Sequence, residues 1–67
     1  MKLIDFLDLV ADSQDMWVSY EGFVVEGIKD ALTCMLSEDV YQGIVYEIEA
    51  ESGELKVWVK EDAHAAD

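Results

Sequence analysis

Two stretches of this chain alternate apolar and polar residues about a short turn containing glycine. That alternation constrains the fold more than any other feature. The first stretch is DMWVSYEGFVVEG, residues 15–27. Its turn is Glu21-Gly22, because glycine supplies the positive φ that tight turns require. Counting outward pairs Tyr20 with Phe23, Ser19 with Val24, Val18 with Val25 and Trp17 with Glu26. Strand side chains alternate with period two. One face therefore holds Met16, Val18, Tyr20, Phe23 and Val25, and the other holds Trp17, Ser19, Val24 and Glu26. A slip of one residue would scramble this sorting, which supports the register.

The second stretch, YEIEAESGELKVWVK (residues 46–60), turns at Ser52-Gly53. It pairs Glu51 with Glu54, Ala50 with Leu55, Glu49 with Lys56, Ile48 with Val57, Glu47 with Trp58 and Tyr46 with Val59. The inner face is Tyr46, Ile48, Ala50, Leu55, Val57 and Val59. The outer face is Glu47, Glu49, Glu51, Glu54, Lys56, Trp58 and Lys60. Glu49 opposite Lys56 is expected to form a cross-strand pair contributing about 0.2–1 kcal/mol.

Helical spacing separates the hairpins. Leu3, Phe6, Leu7 and Val10 fall on one face of a helix over residues 3–11, with Asp5, Asp8 and Asp12 opposite. Ile28, Ala31, Leu32 and Met35 form a second stripe over residues 28–36, with Leu36 at its edge. Ser37 caps a further turn in SEDVY, and Gly43 opens the next strand. The order is α-β-β-α-β-β. The expected architecture is one small α+β domain over residues 1–62, a four-stranded, mainly antiparallel sheet covered on one face by two helices. Residues 63–67 lack apolar periodicity and read as a flexible tail. The uncovered face would carry Trp17, Val24, Val45 and Trp58 among Glu26, Glu47, Glu49, Glu51 and Glu54.

A chain of 67 residues hides only about 60% of its unfolded surface, so its core is marginal. Small domains compensate with disulfides, metals or partners. The single cysteine, Cys34, excludes an intrachain disulfide, and no Cys/His cluster suggests zinc. Cys34 lies among Leu32, Met35 and Leu36 and reads as buried, reduced and slow to react. Association is the remedy left. Asp5 and Asp8 interrupt the N-terminal apolar run, against a signal peptide. No run approaches the roughly 18 apolar residues of a membrane span. A cytoplasmic location is expected.

Charge narrows the partner. Sixteen Asp and Glu stand against four Lys, with no Arg, for a net charge of −12. Phosphate backbones and anionic membranes would be repelled. Arginine's bidentate fork, the usual reader of phosphate and guanine, is absent. The favoured partner is a basic protein. Catalysis is disfavoured: the only histidine, His64, sits in the tail, and no P-loop, GxSxG or HExxH sequence occurs. No cofactor or metal is implied. Glu47, Glu49 and Glu51 do not open a calcium loop, because counting from Glu47 puts Ser52 and Trp58 where that loop needs Gly and Glu.

The opening MKLxDFLxLV, the acidic SEDVY turn and the closing hairpin IVYEIEAESGELKVWVK resemble small acidic proteins carried by Firmicutes, their phages and mobile elements. Size and acidity are also similar to those of anti-CRISPR proteins, several of which occupy the nucleic-acid channel of a host enzyme. The resemblance implies an inhibitor that mimics nucleic acid and blocks a basic host target, such as a CRISPR effector nuclease. The partner-binding residues expected from the face pattern are Trp17, Glu26, Glu47, Glu49, Glu51, Glu54 and Trp58. The alternative is a homo-oligomeric structural or adaptor protein, with the same face as a homodimer seam.

Overall fold

The computed structural model describes residues 1–62. The expected tail over residues 63–67, with His64, lies outside them. Within them the fold is α+β: α1 (Leu3–Leu7), β1 (Asp15–Tyr20), β2 (Phe23–Ile28), α2 (Lys29–Leu32), α3 (Glu38–Tyr41), β3 (Ile44–Glu51) and β4 (Glu54–Lys60). The strands form one sheet in the order β2-β1-β4-β3. The two hairpins are antiparallel, and the central β1–β4 contact that joins them is parallel. No described helix is long and apolar enough to cross a membrane.

Both turns have positive φ at each central residue: 47° and 89° at Glu21 and Gly22, 51° and 82° at Ser52 and Gly53. This is the type I′ geometry, whose twist matches that of the flanking strands. The β1–β2 register is the one counted from sequence, from Trp17 opposite Glu26 to Tyr20 opposite Phe23. The β3–β4 register also holds from Glu47–Trp58 to Glu51–Glu54. Beyond Glu47 it shifts. Val45, not Tyr46, stands opposite Val59, and Tyr46 is the extra residue of a bulge. The bulge corrects two expected faces. Val45 packs on the helix-side core, and Tyr46 is exposed.

The parallel seam is tied at both ends. Gln14 Nε2 donates to the Gly53 carbonyl at 2.7 Å, fixing the entry to β1 against the β3–β4 turn. The Glu61 amide donates to the Glu21 carboxylate at 3.0 Å, fixing the exit from β4 against the β1–β2 turn.

The core is Leu3, Leu7, Met16, Val18, Leu32, Val57 and Val59, and none of the described polar residues is buried. All four strand members point to the same side of the two central strands, so the helices cover that side alone. Gly43 is buried where the chain turns into β3. A Cβ there would lie 2.5 Å from Val59 Cγ1 and 3.1 Å from the Val40 carbonyl.

The helices are shorter than their apolar stripes. After α1, the amides of Leu9 and Val10 bond three residues back, to Phe6 and Leu7, so the turn tightens while Phe6 and Val10 still reach the core. Ile28 belongs to β2, opposite Asp15, not to a helix. Of the second stripe, Leu32 is buried and Leu36 packs on the core, while Ala31 and Met35 are exposed. Cys34 is exposed as well, against expectation: α2 ends at Leu32, so Cys34 lies in the turn beyond the helix and not on its apolar face. Helices this short cover only the middle of the sheet. Phe23 and Ile48, on the helix side of the two edge strands, remain 75% and 48% exposed.

Candidate functional site

The parallel seam converts two separate alternations into one surface. On the side away from the helices, register sets three rows across β2, β1, β4 and β3. The middle row is Glu26, Trp17, Lys56, Glu49; the next is Val24, Ser19, Trp58, Glu47; the row at the β3–β4 turn is Ile28, Asp15, Glu54, Glu51. All seven residues expected from sequence share this face. Trp17 and Trp58 occupy its centre, on the two inner strands. Glu47, Glu49 and Glu51 run down one edge, Glu26 stands on the other, and Glu54 lies in the end row.

The tryptophans are diagonal neighbours across the seam. Their ring centroids are 5.2 Å apart and the planes are tilted by 59°. Such a pair contributes about 0.5–1.5 kcal/mol beyond its buried area. Both rings are half-buried although no helix lies over them, because they cover each other and the strands beneath. The Lys56 ammonium sits 5.8 Å from the Trp17 ring centre, within cation–π range. It also lies 3.4 Å from the Glu51 carboxylate. The expected partner was Glu49, directly opposite. Lys56 instead reaches diagonally to Glu51, and Glu49 keeps an outward carboxylate. This exposed pair contributes at most about 1 kcal/mol. Lys60 similarly places its ammonium 5.8 Å from the Tyr46 ring.

The face carries six carboxylates (Asp15, Glu26, Glu47, Glu49, Glu51, Glu54) against two ammoniums (Lys56, Lys60). Asp15 was absent from the sequence-derived set. Its place in the alternation matches that of Trp17, but only the parallel seam sets it beside Glu54. Asp15, Glu51, Ser52, Glu54 and Lys56 line a shallow polar depression at the turn end. No described cluster of His, Cys, Asp and Glu is arranged to hold a metal. On the helix side, the Tyr20 hydroxyl has its pKa raised by partial desolvation and then by Glu61, Asp39 and Glu21. Acidic groups thus surround that end of the sheet too.

This surface offers recognition by shape and charge. Successive same-face carboxylates on β3 repeat at about 6.7 Å, the two-residue strand period. They present a regular negative row beside an aromatic centre. Comparison with protein-family models, curated proteins and solved structures finds no match to the chain.

Proposed function

We propose that this chain is a protein-binding inhibitor whose open face occupies the basic surface on which another protein holds nucleic acid. A CRISPR effector nuclease in a host cytosol attacked by phage or mobile elements is the specific target class. The observation that carries this reading is the tryptophan pair at the centre of a sheet face rimmed by carboxylates. Half-buried aromatics at a patch centre are the residues most enriched among binding hot spots. Rim charge governs encounter and selects the partner's sign. A row of carboxylates suits lysines and arginines arrayed for phosphates, and the net charge of −12 keeps the chain itself off nucleic acid. Self-association through this face is the poorer reading, because it would set carboxylate rows against one another.

The test is inhibition and binding with purified CRISPR effector nucleases, with and without their nucleic acids. Binding should compete with nucleic acid and weaken steeply as salt rises. Trp58→Ala should weaken the complex by about 2 kcal/mol or more, mainly through faster dissociation. Reversal of Glu47 and Glu49 to Lys should mainly slow association and flatten the salt dependence. The proposal fails if the wild-type chain does not compete with nucleic acid, or if the Trp58 variant binds as tightly as wild type. It also fails if the chain itself binds DNA or RNA at physiological ionic strength.

A further inference from the structure

Among the described residues the sheet ends in two edge strands, β2 and β3, and they are built differently. β3 is guarded along its length. Its upper end pairs with the N-terminus: Val45 donates to the Met1 carbonyl and Leu3 to the Gly43 carbonyl, each at 2.9 Å, and Lys2 bridges Ile44. Its middle carries the bulge at Tyr46, and its lower half presents Glu47, Glu49 and Glu51. Bulges and charges are the devices by which natural sheets block edge-to-edge pairing. β2 has none of these except Glu26. Its register with β1 is unbroken, and Phe23, Val24 and Ile28 are 75%, 49% and 43% exposed.

The phase of the β2 backbone follows from its turn. In a two-residue hairpin the flanking pair, Tyr20–Phe23, is hydrogen-bonded, and bonding alternates from there. Val18–Val25 and Met16–Gly27 therefore bond inward. The N–H and C=O groups of Val24 and Glu26 point to the open edge.

We propose that two copies of this chain pair through β2, antiparallel about a two-fold axis at Val25, into one eight-stranded sheet. This register sets Val24 opposite the second copy's Glu26, and Glu26 opposite the second copy's Val24. Each of these residues has its free backbone groups aimed outward, so both pairs bond in phase. It sets Phe23 opposite the second copy's Gly27. The Met35 methyl lies 3.7 Å from where a Cβ on Gly27 would stand, and Met35 is 55% exposed. Phe23 thus has a floor without a side chain and a soft apolar wall beside it, a pairing that aromatic residues use to cover glycine in sheets. A two-fold axis at Glu26 would oppose that carboxylate to its own copy, and one at Val24 would pair fewer residues. The assembly closes, because the edges left over are both the guarded β3. It leaves the tryptophan faces of both copies open on the same side of the joined sheet.

The test is the molecular mass in solution over a wide concentration range at low and high salt, with amide exchange followed by NMR. The mass should rise toward the dimer with concentration. Added salt should promote it, because each chain carries −12. Protection of the Val24 and Glu26 amides should rise with it. Phe23→Glu and Val24→Pro should each raise the monomer–dimer midpoint by about tenfold or more. Both leave the bonds from β2 to β1 intact, so their circular dichroism should stay folded. Ile48→Glu, the matching change at the other edge, should leave the midpoint unmoved. A wild-type chain that stays monomeric throughout overturns the proposal. So does a dimer that survives both β2 variants, or one that Ile48→Glu abolishes.

Discussion

The two sides of this sheet are made by the same strands and meet opposite fates. On the helix side, Met16, Val18, Val57 and Val59 are at most 2% exposed, under Leu3, Leu7 and Leu32. On the other side, Trp17 and Trp58 stand one residue away in sequence and stay partly exposed among carboxylates. Burial here is set by the second layer and not by the apolar character of a strand position. The helix side makes the same point within itself. Val57 is buried, while Ile48, directly opposite it on the edge strand, is half exposed because no helix reaches that far. One side therefore holds the fold together, and the other stays open to solvent.

Several substitutions break or sharpen that contrast. The largest loss should come from Leu32→Ala, where the helix layer meets the sheet. Truncating a buried leucine typically costs about 2–5 kcal/mol, a large part of the roughly 3–10 kcal/mol expected for a domain of this size. Chemical denaturation reads it directly, and a cost below about 1 kcal/mol would mean the layer contributes little. Gly43→Ala should follow, at about 1–3 kcal/mol, because the added methyl meets Val59 with little room to shift.

Trp58→Ala crosses to the open side. It should cost about 1.5–3 kcal/mol of stability, the lost aromatic pair together with the apolar area its ring covers, while strongly affecting partner binding. A denaturation midpoint as low as that of Leu32→Ala would make Trp58 part of the core and remove the basis for a recognition face. Ile48→Ala should be the mildest, below about 1 kcal/mol, since its side chain is already half exposed. A loss matching Val57→Ala would show that the edge of the helix side is covered in solution.

The hairpins were legible in the sequence because strand alternation and I′ turns are local. Glycine at positions 22 and 53 sets the turns, and period two then sorts each side chain to a face. Hence the α+β class, most of both registers and the shared face of Trp17 and Trp58 followed from residue order alone. So did the acidity of that face. The misplacements at Tyr46 and Val45 trace to one bulged residue, which shifts the faces of the strand beyond it. Exposure at Cys34, Met35, Phe23 and Ile48 depended on how far four- and five-residue helices extend over the sheet. An apolar stripe does not encode that reach.

The pairing of β1 with β4 is the largest thing that only the tertiary structure decided. Its partners are some forty residues apart, tied by Gln14 to Gly53 and Glu21 to Glu61, and no local pattern records a contact between strands from different hairpins. That seam sets the tryptophan rings 5.2 Å apart, brings Asp15 beside Glu54 and carries Lys56 over Trp17. It also leaves β2 and β3 as the edges. Local alternation determined which residues face outward; long-range strand pairing determined which of them meet.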